Sequence, residues 1–186
     1  MTLDQFWDHI RLSKHKDPDE HSERLKARLV KLKPEEILDF IHWWDTMIRE
    51  AYDWNLWGAA YLINGGCSDD GFHYFCCWLI MKGRDVFQAA ITNPDTLAKV
   101  VDPDEGEVEW YGTPGTDAWF AATTRKPTDK GYEALRVAEV ARHGEPPMMP
   151  DLGDGWDFDD DEEMKKRFPK LYAMYTEGDG DEDEED

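Results

Sequence analysis

The chain opens with apolar residues that recur every three or four positions, which is the spacing of an α-helix that buries one face. The first such stretch follows Thr2-Leu-Asp-Gln5, a capping-box pattern that pairs side-chain oxygens with backbone N–H groups at a helix start. Asp17-Pro18 supplies a cap and a first-turn proline for a second helix. The longest apolar face runs from Ile37 to Ala51, so the pattern predicts a series of amphipathic helices.

The next stretch, Trp54 to Ile63, is almost wholly apolar and rich in Ala and Leu, which predicts a buried helix. Asn64-Gly65-Gly66 ends it, because glycine adopts the left-handed conformation that closes helices. Ser68 then caps another helix, and shorter helical patterns follow. Residues 1–101 are therefore predicted to form a helical core.

The pattern changes after Asp102. Residues 102–127 are rich in Gly, Pro, Thr and acids, which predicts an irregular insert or a short hairpin around Thr113-Pro-Gly-Thr116. Residues 128–175 return to helical spacing and are expected to dock on the core, whereas 176–186 read as a disordered acidic tail. The whole pattern predicts an all-α fold, a compact single-domain bundle of about seven or eight helices.

Negative charge is concentrated at the end of the chain. The net charge is −21, and residues 151–186 alone carry 4 basic and 16 acidic residues. This sign argues against nucleic-acid binding, because phosphate contacts need a basic surface. It fits a solubilising tail or a basic protein partner, and masking of a basic protein surface by the acidic end is one hypothesis.

The cellular compartment is predicted from the absence of membrane-span, signal-peptide and disulfide patterns in the sequence. No window has the 18 or so apolar residues of a membrane span, and the first residues lack the design of a signal peptide. Only three cysteines occur, two of them adjacent, so a disulfide framework is not expected. The protein is predicted to be cytoplasmic, with no membrane contact, and its oligomeric state is left open.

The most unusual stretch, Tyr61 to Phe75, packs a Gly-Gly break, a cysteine, two acids and a third glycine between aromatic segments. With the flanking Trp54-Asn-Leu-Trp and Gly83-Arg-Asp-Val-Phe, it resembles the core of the DUF4240 family. The opening Phe6-Trp7 helix and the segment 151–175 are similar too, while 102–127 and the acidic end look particular to this protein. The resemblance implies a mostly helical bacterial domain of unknown function, without catalytic residues to carry over.

A metal site is one interpretation of this motif. Asp69, His73 and Cys77 would lie on one face of a helix that begins at Ser68. Either Cys67 or Asp70 could supply the fourth ligand of a zinc site. However, a cysteine among aromatic residues is also typical of a core, and the cysteine spacing matches no standard zinc pattern. No metal and no cofactor is therefore predicted.

Covalent catalysis is a second interpretation. Cys67 would be a nucleophile at a helix N-terminus, which favours the thiolate, with His73 as its base. The neighbouring carboxylates of Asp69 and Asp70 would oppose the thiolate, and the same residues serve equally well to cap the helix and complement its dipole.

A small-molecule pocket uses more of the motif. The two aspartates could bind an amine or guanidinium between aromatic walls. The candidate ligand-binding residues are Cys67, Ser68, Asp69, Asp70, His73, Trp54, Trp57, Tyr61 and Tyr74.

These interpretations lead to one preferred function and one alternative. The preferred function is a non-catalytic binding or interaction module that recognises a protein or a small cationic ligand. The alternative is a small hydrolase or transferase that uses Cys67-Ser68-Asp69-Asp70 with His73. Elsewhere, His42 is predicted to be a core or boundary histidine and His143 a surface residue.

Overall fold

A computed structural model of the protein describes residues 1–105 and 107–176. Within these residues there are helices and no strands, so the all-α class is confirmed. None of the helices there has the length and apolar composition that a membrane crossing requires. Most of the predicted acidic tail, residues 177–186, lies outside the described part of the chain.

Ten α-helices and two 3₁₀ helices make up this described part. The α-helices are α1 Leu3–Ser13, α2 Pro18–Leu29, α3 Pro34–Ala51, α4 Trp54–Asn64, α5 Asp69–Lys82, α6 Arg84–Thr92, α7 Pro114–Thr123, α8 Asp129–His143, α9 Asp161–Arg167 and α10 Pro169–Thr176. The 3₁₀ helices are Pro94–Lys99 and Pro103–Glu105.

Capping residues set several helix starts where the sequence predicts them. The Thr2 hydroxyl accepts a hydrogen bond from the Gln5 amide at 3.3 Å, and the Gln5 side chain accepts one from the Thr2 amide at 2.8 Å. Asp17 accepts from the Glu20 amide at 2.9 Å. These bonds satisfy N–H groups that have no partner inside their own helix, so the local sequence is sufficient to fix these starts.

The first compact unit comprises Met1–Arg49 and Tyr111–Met149. It contains α1, α2, most of α3, α7 and α8. Phe6 of α1 packs on Phe40 of α3 with ring centroids 4.9 Å apart, and both rings are fully buried. Gly115 lets α7 approach α3 closely, because a Cβ there would lie 2.9 Å from Ile41.

The second compact unit comprises Glu50–Trp110 and the chain from Pro150 onward. It contains α4 to α6, α9 and α10 around a core that includes Phe72 and Phe87. The buried carboxylate of Asp95 accepts hydrogen bonds from the amides of Lys170 and Leu171, at 2.8 and 3.0 Å. A distant side chain therefore caps α10, which ties the late segment to the 3₁₀ helix within this unit.

The prediction for residues 102–127 is wrong over 114–123, where α7 replaces the expected irregular insert or hairpin. Pro114 is pre-set for a first helical turn, and Ala118, Trp119 and Phe120 bury themselves in the first unit. Tertiary burial thus overrides the weak local signal of Gly, Pro and Thr. The two units divide the chain near residues 50, 110 and 150, whereas the sequence predicts boundaries near 101 and 127.

Candidate functional site

The Cys67–Asp70 motif forms the joint between α4 and α5 in the second unit. Gly65 and Gly66 have φ of 64° and 137°, so the chain turns there with backbone angles that favour glycine. The Ser68 hydroxyl then accepts a hydrogen bond from the Gly71 amide at 3.1 Å, as predicted for a helix cap. Asp69 and Asp70 follow in the first turn of α5 and are exposed.

The Cys67 thiol lies in a setting that opposes ionisation. Burial, followed by the charge of Glu109, raises the pKa of this thiol to about 11. The indole of Trp57 donates a hydrogen bond to the Cys67 carbonyl at 3.0 Å, which holds the backbone but does not stabilise a thiolate. The first turn of α5 therefore does not activate this cysteine at neutral pH.

The motif's histidine contacts a different cysteine. His73 is exposed, and its Nε2 lies 3.7 Å from the sulfur of Cys77, one helical turn further on. No group of three or more Cys, His, Asp or Glu side chains in the described residues is placed to hold a metal ion. The zinc interpretation thus has no supporting geometry in that part of the chain.

The aromatic candidates pack within the second unit. Trp57 stacks on Phe72 with centroids 4.7 Å apart, and Trp54 donates its indole hydrogen to the carbonyl of Leu152 at 3.0 Å. Tyr61 donates its hydroxyl to Asp159 at 2.7 Å. Trp54 and Tyr61 therefore brace α4 against the late segment and Trp57 braces it against α5, which is a structural use of the predicted cation–π walls.

Two further bonds explain other parts of the motif. The Asn64 side chain accepts from the Val108 amide at 2.9 Å, and the carbonyl of Tyr74 accepts from the Trp110 amide at 3.2 Å. Both bonds fix the segment that follows the second 3₁₀ helix. Capping, turning and bracing therefore account for the motif's unusual residues, and ligand binding there stays a prediction.

The first unit contains a cavity of about 340 Å³ between α3, α8 and the segment 144–147. Its charged and polar lining on the two helices consists of His42, Asp45 and Arg49 from α3 and of Arg136, Glu139 and His143 from α8. These positions are three or four residues apart on each helix, so each set lies on one face. The same residue types occur in opposite order along the two helices.

The first of these like pairs, the histidine pair, consists of His42 and His143 and forms part of the cavity lining. The rings of His42 and His143 are stacked, with centroids 4.2 Å apart and planes 9° from parallel. Burial, followed by the charges of His143 and Arg49, lowers the pKa of His42. His42 is therefore neutral at physiological pH. His143 is exposed, as the sequence predicts, and also packs on His42.

The second pair, the acidic pair, consists of Asp45 and Glu139. Neither carboxyl has a hydrogen-bond or ion-pair partner among the residues that the structure describes. Partial desolvation raises the pKa of both groups, although Asp45 keeps exposed surface and Glu139 is half-buried. The Asp45 charge adds to the effect on Glu139, whose pKa reaches about 7, while Arg49 partly offsets the effect on Asp45.

The third pair, the arginine pair, consists of Arg49 and Arg136. Arg49 donates a hydrogen bond to the Thr46 hydroxyl at 3.1 Å and has no ion-pair partner in the described part of the chain. Arg136 lies 3.8 Å from a carboxylate oxygen of Glu145, and both of these side chains are largely exposed. The guanidinium groups therefore retain most of their donors for another partner.

A buried ion cluster beside the histidine pair fixes the position of α8 on α3. Asp39 accepts hydrogen bonds from Arg142 at 2.6 and 2.8 Å, lies 3.1 Å from His143 Nε2 and contacts the amino group of Met1. Burial alone would raise the pKa of Asp39, but the bonds from Arg142 and Met1 lower it to about 2. This cluster holds the two cavity walls in one register.

Sequence reasoning missed this cavity because each wall alone looks like an ordinary helix face. The available signal is the reversed spacing of His42, Asp45 and Arg49 against Arg136, Glu139 and His143. That signal acquires meaning only once α3 and α8 are known to face each other.

Comparison with known proteins gives a family but no function. A family model described as "Protein of unknown function (DUF4240)" matches residues 1–122. Searches of curated proteins and of solved structures each found no match. The matched part includes most of 102–127, so this region is not particular to the protein as predicted, while the similar segment 151–175 lies outside the match. The match covers the α3 wall of the cavity and excludes the α8 wall.

Proposed function

Because the chain belongs to the DUF4240 family, whose function is unknown, we propose a function from the cavity: the protein is a non-catalytic binding module for a small organic cation. The cation is held between Asp45 and Glu139. This retains the ligand class expected from the sequence and moves the site from the α4–α5 joint to the first unit.

The observation that carries the proposal is the acidic pair without a partner. The two carboxyl groups line one cavity from opposite walls, and no described side chain forms a hydrogen bond or ion pair with either of them, although the charge of Arg49 acts on Asp45. Like charges at close range in a partly desolvated site are destabilising, so the arrangement costs folding free energy. A cation between them would remove that cost and gain two charge-assisted hydrogen bonds.

The size of the cavity suits a small ligand. Its volume of about 340 Å³ is at the lower end of the range of roughly 300–1,000 Å³ found for small-molecule sites. Val140 and the prolines of the segment 144–147 contribute apolar surface to it. An organic cation with a short aliphatic body therefore fits the mixture of lining groups better than a hydrated metal ion.

Binding should be coupled to proton release. Glu139 has a pKa of about 7, so at neutral pH it is partly protonated, and a bound cation favours its ionised form. The other charged or titratable groups that line the cavity are Asp45, Glu145, the histidine pair and the arginine pair. Affinity for a cation is therefore expected to rise as the pH increases through about 7.

The Cys67–Asp70 motif in the second unit is a weaker candidate than the cavity for binding a cation. Asp69 and Asp70 are both exposed, so water screens their charge, whereas Glu139 of the acidic pair is half-buried. The raised pKa of Cys67 also argues against the hydrolase or transferase alternative, which needs the thiolate.

The test is a titration with three probes: methylguanidinium, n-butylammonium and 4-aminobutanamide. Calorimetry at pH 8 should give dissociation constants on the order of 1 mM for at least one of them. Asp45→Asn and Glu139→Gln should each abolish this binding, since both remove a charge and keep the shape. Glu133→Gln, an exposed change on the same helix, is the matched control and should bind as the wild type does.

Two results would overturn the proposal. One is the absence of heat and of any carboxyl chemical-shift change for Glu139 with all three probes at 50-fold the concentration expected to half-saturate the site. The other is binding that survives both cavity variants but is lost in an Asp69→Asn, Asp70→Asn double variant, which would place the site at the motif.

A further inference from the structure

We propose that the ligand of this cavity is a zwitterion, with its cationic group at the acidic pair and its anionic group at the arginine pair. This inference rests on the proposed function and adds the second charge of the ligand. It narrows the ligand class from organic cations to ω-amino acids of short chain length.

The reversed order of the lining residues places like groups opposite each other. His42 stacks on His143, and the charge of Asp45 acts on Glu139. Along the cavity, the residue numbers of α3 therefore increase in the direction in which those of α8 decrease. Continuing this register by one turn brings Arg49 towards Arg136, and both arginines line the same cavity. Among the described residues no ion pair joins an acid of the acidic pair to an arginine of the arginine pair, although the charge of Arg49 acts on Asp45.

Neither charged pair is fully neutralised within the protein: Arg49 acts on Asp45 through its charge without a hydrogen bond, and Glu145 meets Arg136 only in a largely exposed contact. An acidic pair calls for a cation, and two guanidinium groups call for a carboxylate, which arginine binds in a planar, two-point geometry. Glu145 shows that a carboxylate can reach this end of the cavity, since one of its oxygens lies 3.8 Å from the guanidinium of Arg136. That contact is largely exposed, so a ligand carboxylate can replace it at small cost.

The spacing of the pairs sets the length of the ligand. Neighbouring pairs are one helical turn apart, which separates the acidic pair from the arginine pair by about 5 Å along the helices. An ω-amino acid with a short aliphatic spacer matches this separation, whereas an α-amino acid carries both charges on one carbon and reaches only one pair. The histidine pair lies one turn beyond the acidic pair, on the side away from the arginine pair, so the arginine pair sets the ligand's orientation.

The experiment compares 4-aminobutyrate with 4-aminobutanamide, which has the same shape and cation but no negative charge. Calorimetry at pH 8 on the full chain should show about tenfold tighter binding of 4-aminobutyrate. Arg49→Met and Arg136→Met should each remove most of this preference, because methionine keeps much of the apolar stem and removes the positive charge. Lys130→Met, an exposed change on α8, is the control and should keep the preference.

The outcomes separate this inference from the proposed function. Equal affinity for the acid and the amide, or a preference that survives both arginine variants, overturns the zwitterion and leaves the cation site standing. Failure of both probes, together with failure of methylguanidinium and n-butylammonium, overturns the cation site and the zwitterion with it. Arg136 is exposed, so its variant keeps the test valid if Arg49→Met fails to fold.

Discussion

The imidazole rings of His42 and His143 lie parallel, with their centroids 4.2 Å apart and their planes 9° from each other. This contact sets the register in which α3 faces α8 and so brings Asp45 and Glu139 to the same cavity. The function proposed for the chain depends on that register, because it leaves two acids on facing walls with no hydrogen-bond or ion-pair partner among the described residues.

Glu139 should make the folded state less stable as the pH rises. Its pKa is raised from 4.5 to about 7, so between these values the folded state holds a proton that the unfolded chain has lost. Stability therefore falls over this interval and is lowest above about 7. Glu139→Gln should raise the melting temperature at pH 8 by about 2–4 °C, roughly 1 kcal/mol after allowance for partial exposure, and should change it little at pH 4.5.

Thermal unfolding at these two pH values, followed by circular dichroism, measures the effect. Glu133→Gln is the control, since Glu133 lies on the same helix and is exposed. An equal gain from both variants, or a gain for Glu139→Gln that is independent of pH, would contradict the assignment.

Arg142 should stabilise the protein through Asp39, and only while Asp39 is ionised. The pKa of Asp39 is lowered from 3.8 to about 2, so its contribution is fully present above 3.8 and is lost as the pH falls towards 2. Arg142→Met should cost about 2 kcal/mol at pH 7, which is typical of hydrogen bonds to a buried charge. Urea unfolding at pH 7 and at pH 2 should show this difference shrinking in acid, and a constant difference would rule out the mechanism.

Cys67 should react slowly with alkylating agents. A thiol whose pKa is about 11 is almost entirely protonated at pH 8, and the thiolate is the reactive form. Modification of Cys67 by iodoacetamide, followed by mass spectrometry of the intact and digested chain, should be at least about tenfold slower than in the urea-unfolded protein. Faster reaction in the folded state would revive the nucleophile interpretation of the motif.

Ser68, and not the two aspartates after it, should carry the capping energy of α5. The Ser68 hydroxyl accepts the Gly71 amide at 3.1 Å, while Asp69 and Asp70 only complement the helix dipole. Ser68→Ala should destabilise the protein by about 0.5–2 kcal/mol, and Asp69→Asn or Asp70→Asn by less than about 1 kcal/mol. Denaturant unfolding of the three variants decides this, and a larger loss from either aspartate variant would show that the cap is misassigned.

The sequence by itself determined the features that depend on neighbouring residues. The capping box at Thr2, the cap at Ser68 and the break at Gly65 each work through bonds or backbone angles within a few positions, so their residue types predict them directly. The apolar periodicity likewise predicted the all-α class, because apolar residues at this spacing lie on one face, and can be buried together, when the segment is helical. The family was also readable from the motif, since residue types and order are all that a family match compares.

Only the tertiary structure decided where a candidate site lies. Asp39 and Arg142 are 103 positions apart, and no local pattern announces that their contact places α3 against α8. The raised pKa of Glu139 has the same origin, because desolvation and the charge of Asp45 arise only after the two helices pack. Conversely, caps and packing contacts hold the Cys67–Asp70 motif at the joint between α4 and α5. A tight joint between helices needs unusual residues just as a binding site does, so the sequence alone does not distinguish the two.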